Sequence, residues 1–115
     1  MNTEFVTTKP NQDSITLSVD VKGRQASTSL FLNGNLIKTL DDNFSQFLGT
    51  NQGLRGNNLL VVTQVARWPA DLQSCRVDFL IEGAADVQAD NPVISNENFN
   101  NGASNVPHVV NYYFI

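Results

Sequence analysis

Apolar and polar residues alternate without a fault from Ser14 to Lys22, with Ile15, Leu17, Val19 and Val21 on one side and Ser14, Thr16, Ser18, Asp20 and Lys22 on the other. A period of two is that of an extended strand with one wet face. The alternation returns over Ser74 to Gly83, where Cys75, Val77, Phe79 and Ile81 oppose Arg76, Asp78, Leu80 and Glu82. Both segments predict strands. A weaker strand is predicted at Glu4 to Thr8, ahead of Pro10.

Ala26 to Leu40 reads as a hairpin about Asn33-Gly34, because both central residues of a type I′ turn need positive φ and Asn-Gly supplies them. A two-residue loop sets Leu32 opposite Asn35, Phe31 opposite Leu36 and Leu30 opposite Ile37, so both faces carry apolar side chains. Asn58 to Arg67 is apolar on both faces at its start, which suits a central strand. Trp68-Pro69 stops it, with the Trp68 ring expected to close the core edge. In the last predicted strand, Val106 to Ile115, Val109, Tyr113 and Ile115 share one face and Val110, Tyr112 and Phe114 the other; it is expected to be tied into a sheet.

Two stretches break the pattern. Phe44, Phe47 and Leu48 fall at i, i+3 and i+4 after the capping residues Asp42 and Asn43, predicting a short helical turn over 42–48 that ends at Gly49. Residues 50–58 then form a loop around a buried Leu54. Residues 84–105 have little periodicity beyond one short edge strand at Val93 and Ile94; so long a connection is usually a binding loop or a mobile segment.

The 115 residues suit one domain over 1–115, with no internal repeat or linker. Short strands, frequent turn signals and little helix predict an all-β antiparallel sandwich, immunoglobulin-like or jelly-roll-like in pattern, of about seven strands. Only 16% of residues are charged, so neutral polar residues, Asn above all, carry the surface and turns. The net charge of −4 and seven scattered Lys and Arg argue against a nucleic-acid surface, and no apolar run reaches the roughly 20 residues that span a membrane. The N-terminal residues lack a secretory signal, which leads to the expectation of a cytoplasmic protein or one exported by a non-classical route. A lone cysteine, Cys75, excludes an internal disulfide.

Candidate chemistry is sparse. His108 is the only histidine and is expected at the surface or a strand edge; Cys75, in phase with Val77 and Phe79, is expected to be a small buried hydrophobe. One Cys and one His cannot close a zinc site. Asp86, Asp90 and Glu97, with Asn91 and Asn98, are the candidate calcium ligands of the 84–105 segment, although their spacing lacks a dense Asp-x-Asp-x-Asn-Gly pattern and a solvated acidic loop is the plainer reading. No cofactor is expected. Trp68, Tyr112 and Tyr113 are the candidate ligand-binding aromatics, weighed against ordinary core positions. The functional expectation is a non-enzymatic interaction or assembly module whose partner is another protein or a second copy of itself, with carbohydrate binding, with or without calcium, as the alternative.

Overall fold

Alternation over Ser14 becomes a strand because every second side chain enters a core between two sheets. The computed structural model describes residues 2–88 and 90–115. Its strands are β1 (Asn2–Thr7), β2 (Ser14–Asp20), β3 (Ala26–Leu32), β4 (Asn35–Asp41), β5 (Phe44–Thr50), β6 (Asn58–Ala66), β7 (Ser74–Glu82), β8 (Asp86–Val87), β9 (Val93–Asn98) and β10 (Asn105–Phe114); one helical turn, α1 (Asn51–Leu54), follows β5. They form a six-stranded sheet in the order β4-β3-β6-β10-β1-β8 and a four-stranded sheet in the order β5-β2-β7-β9. The fold is an all-β sandwich, and no described helix is long and apolar enough to cross a membrane.

All strand pairs are antiparallel except β1 with β10, which runs parallel with Glu4 beside Tyr112 and Val6 beside Phe114. A parallel pair needs a long crossover. Here nearly the whole chain supplies it, because β1 and β10 are its first and last strands. The core is made by Ile15, Leu17 and Val19 from β2, Val77, Phe79 and Ile81 from β7, and Leu59, Val61, Val65, Val110, Tyr112 and Phe114 from the facing sheet. Each large apolar side chain buried there contributes about 2 kcal/mol relative to exposure.

The Asn-Gly turn forms as expected, with φ of 50° at Asn33 and 85° at Gly34. Leu32 meets Asn35 and Phe31 meets Leu36, but Leu30 meets Lys38 rather than Ile37, because a bulge gives β4 one extra residue. The helical turn expected over 42–48 is instead β5, a full strand paired with β2. Strand pairing outweighs an isolated turn, whose nucleation is unfavourable. A second bulge, between Ile15 and Thr16, changes the parity along β5, so Phe44, Phe47 and Leu48 follow neither period. The proposed caps have other work: the Asp42 carboxylate accepts the Ala26 N–H at 3.0 Å, and Asn43 Oδ1 accepts the Val21 N–H at 2.7 Å. The helical turn lies just after, where Thr50 Oγ1 accepts the Gly53 N–H at 3.0 Å and Leu54 is buried.

The weakly patterned stretch is more ordered in kind than its sequence suggests. It contains β8 and β9, raising the strand count to ten. Between them Asn91 imitates a strand residue: its Oδ1 accepts the Ile81 N–H at 3.0 Å and its Nδ2 donates to the Ile81 carbonyl at 2.8 Å.

Candidate functional site

Thr28, Thr63 and His108 lie on the core-facing rows of β3, β6 and β10, in one line across the six-stranded sheet. The alternation that puts Val61 and Val65 inside puts Thr63 inside with them, and Val106 and Val110 carry His108 inward in the same way. From the opposite sheet, β7 supplies Cys75 and β9 supplies Ser95. The Thr28 and Thr63 hydroxyls are bonded at 2.7 Å. His108 then bridges the sheets, with Nε2 at 3.1 Å from Cys75 Sγ and Nδ1 at 2.8 Å from Ser95 Oγ. A polar layer therefore crosses the interior between the two sheets.

The expectation of a surface or edge histidine is overturned. His108 has no exposed surface and sits on an inner strand, paired with β6 at Thr63, while β1 joins the other side of the strand from Val110 onward. An imidazole can be buried there because both ring nitrogens find partners, which removes most of the cost of taking it out of water. Cys75 is buried as expected, at 8% exposure.

Thiol, imidazole and hydroxyl within hydrogen-bond reach match the geometry of an activated nucleophile. The electrostatics oppose that use. Burial pushes the Cys75 thiol up, with Glu97 adding to the rise and Arg24 opposing it. Burial likewise pushes His108 down, against the upward pull of Glu97 and of the Ser95 backbone. Both shifts favour the neutral thiol and the neutral imidazole, whereas a reactive cysteine is a thiolate open to its substrate. A thiol donates better than it accepts, so the network assigns S–H to Nε2 and leaves Nδ1–H to donate to Ser95. The constellation ties the two sheets together. A surface depression of about 410 Å3 is lined by Gln25, Ser27, Asp41, Asp42, Gln64 and Asn105, without Cys75, Ser95 or His108.

The remaining candidates are dispersed. Trp68 does not close the core edge; it is 74% exposed in the turn after β6, its carbonyl accepting from Arg24 Nη1 at 3.2 Å. Tyr113 is exposed on the outer face of β10 and stacks on Phe5, with centroids 5.5 Å apart. Tyr112 points the other way and is fully buried, so it cannot serve as a surface platform. Asp86 lies on β8, Asp90 beyond it and Glu97 on β9 in the other sheet; no group of three or more His, Cys, Asp or Glu able to hold a metal ion is gathered among the described residues.

One further ionisable pair was missed by sequence reasoning. Glu4 is buried beside Tyr112, its cross-strand neighbour, and among the described residues Glu4 Oε2 and Tyr112 Oη have no protein hydrogen-bond partner. The inward parity of Val6 was the available signal, since Glu4 is two residues earlier. Burial pushes the Glu4 carboxyl above its ordinary value of 4.5; the Asp90 backbone N–H opposes this and the Asp90 charge adds to it. Burial, with the Glu4 charge, pushes the Tyr112 hydroxyl upward.

A raised carboxyl makes the folded chain hold its proton to higher pH than the unfolded chain. Stability is then lost as pH rises from about 4.5 through the folded value, and levels off above it. His108 acts oppositely, losing stability as pH falls below 6.5 through its lowered value. Glu4→Gln removes only the first effect. Its melting temperature should exceed that of wild type at neutral pH, with the gap closing towards pH 4. An equal melting temperature throughout would mean that the carboxylate is solvated in the folded protein.

Compared with known proteins, the chain matches no family model, no curated protein and no solved structure.

Proposed function

We propose that this domain is a non-enzymatic interaction or assembly module working through exposed strand edges and the outer face of its six-stranded sheet. One observation carries the reading: apolar patches lie on that outer face. Leu36 of β4 stands opposite Phe31 of β3, Phe31 opposite Leu60 of β6, and Val62 of β6 opposite Val109 of β10. Leu36 is 58% exposed; the row meets Asn111, which is bonded to Asn58 and to the Tyr113 hydroxyl, and beyond it the stacked Phe5 and Tyr113 form a second apolar patch on β10 and β1. Apolar patches on a wet face, rimmed by polar residues, are what protein contacts bury. Its occupant is another protein chain or a second copy of this one.

A photo-crosslinking residue at Leu36 or Tyr113, in the full chain in its native cells, should give an adduct of defined mass. The same residue at Asn96, exposed on the outer face of the four-stranded sheet, should not. Absence of adducts at both face positions would sink the proposal. A second reading, carbohydrate binding, is supported by the exposed Trp68, which lies in the chain between Arg67 and Ala70, two of the residues lining a depression with Gly102 and Ser104. Glycan-array binding that Trp68→Ala abolishes, together with no adduct on the sheet face, would favour it.

A further inference from the structure

The sandwich has four strand edges, β4, β8, β5 and β9, and unpaired edges invite association unless they are blocked. Three are blocked in recognisable ways. β8 is only two residues long. β4 carries Lys38 and Asp41, with Lys38 opposite the core residue Leu30 and so on the inward side, and β9 carries Glu97. β5 is neither short nor charged, and its one irregularity is the bulge at Leu48, which follows the regularly paired run Phe44 to Phe47. It is seven residues, Phe44-Ser45-Gln46-Phe47-Leu48-Gly49-Thr50, without a charge or a proline, and Phe47 is 56% exposed on the outer face.

We propose that β5 is the edge through which two copies of this chain pair, antiparallel about a two-fold axis near Phe47, joining two four-stranded sheets into one of eight strands. This rests on the reading above that the domain associates through its sheets. Charge selects a second copy as the occupant. The start of β5 follows Asp41 and Asp42, while its end leads through α1 to Arg55, which reaches back to Thr8 Oγ1 at 2.9 Å and the Lys9 carbonyl at 3.1 Å. Lys9 at that end is paired with Asp13 at 3.3 Å, which leaves the Arg55 charge in excess. Antiparallel pairing lays the acidic end of each strand beside the basic end of the other, twice by symmetry.

The rest of the seam has its charges paired. Next to β5, β2 presents Ser14, Thr16, Ser18 and Asp20 on its outer face, with Ser18 and Ser45 bonded at 3.0 Å and Asp20 paired with Lys22 at 3.2 Å. The charges of β7, Arg76 and Asp78 among them, are two strands from the edge. Across the seam they would be separated by five strand spacings, about 24 Å, well beyond the screening length of about 8 Å. Two chains of net charge −4 can therefore meet here without facing like charges. The two Phe47 rings would form a cross-strand aromatic pair at the axis.

Sedimentation equilibrium of the full chain tests this. Wild type should run at twice 12.6 kDa at micromolar concentration. Phe47→Lys, a change at an exposed site, should raise the dimer dissociation constant about a hundredfold by setting like charges face to face. Ile37→Lys on β4 should leave the dimer intact. Phe47→Cys supplies a second measurement under mild oxidation, independent of the lysine variant, because the native thiol is buried: it should give a disulfide-linked dimer. A monomeric wild type, a dimer that survives Phe47→Lys, or one lost in Ile37→Lys would overturn the β5 pairing. Adducts at Leu36 or Tyr113 to a different protein, with a monomeric chain, would leave the broader reading standing while this one fails.

Discussion

Gly83→Ala is expected to yield little or no folded protein. Gly83 closes β7 with φ of 96°, and a methyl group there would lie 1.9 Å from the Ser14 carbonyl oxygen and 3.0 Å from the Ser14 carbonyl carbon. Both are backbone atoms, at the first residue of β2, which is held between β5 and β7. Neither can turn aside as a flexible side chain would, so relief requires breaking strand pairs. The cost should exceed about 4 kcal/mol, where a domain of this size has only about 5–15 kcal/mol in all. Gly102→Ala is the control: its φ is 79°, but nothing lies within 4 Å of the added carbon, leaving only backbone strain of about 1–2 kcal/mol. Urea unfolding followed by circular dichroism separates the two. Equal midpoints would show that β7 and β2 can part at no cost.

Asn51→Ala should cost about 3–4 kcal/mol, the second largest loss expected. The residue is fully buried at the start of α1 and joins three separate segments. Its Nδ2 donates to the Asp13 carbonyl at 2.7 Å and to the Gly83 carbonyl at 3.0 Å, and its Oδ1 accepts the Lys9 N–H at 2.8 Å. Alanine leaves the Gly83 carbonyl and the Lys9 N–H without partners, each costing about 1–3 kcal/mol if the site stays dry, while the Asp13 carbonyl keeps the backbone N–H of residue 51 at 2.9 Å. Asn51→Asp keeps the acceptor but turns a carboxylate towards two carbonyl oxygens, so it should fare no better at neutral pH. A loss below about 1 kcal/mol for alanine, from the same urea titration, would mean that water replaces the amide freely.

These two residues were not singled out by their sequence context. Gly83 follows an alternating strand and looks like an ordinary turn glycine; its necessity comes from Ser14, a distant residue that only the sheet brings to 1.9 Å. Asn51 is one of many asparagines in turn-like stretches, and its burial depends on the β1–β2 connection and the end of β7 closing over it. The polar layer of Thr28, Thr63, His108, Cys75 and Ser95 was half legible. Inward parity at Thr63 and His108 could be counted along β6 and β10, but the partners lie 33 and 13 residues from His108 on another sheet. A lone histidine therefore looked like a surface residue until its neighbours were known.

Periodicity misled where the backbone departs from regular pairing. The bulges against β2 and β3 shift parity at Leu48 and Ile37, so β5 resembled a helical turn and the hairpin register slipped by one residue. β9 was reduced to Val93 and Ile94 because the rest of that strand is polar, held by pairing with β7 rather than by apolar residues of its own.

The alternation of residue types by itself placed strands at Ser14 to Lys22 and Ser74 to Gly83, which the structure ends at Asp20 and Glu82, and sorted the last strand into two faces, because a side chain's face depends only on its place in a period of two; Asn33-Gly34 by itself placed the turn. The tertiary structure alone decided which strands are edges, that β1 runs parallel to β10, and that His108 meets Cys75 and Ser95. Those outcomes depend on contacts between residues far apart in the chain, whose energies appear only once both sheets have formed.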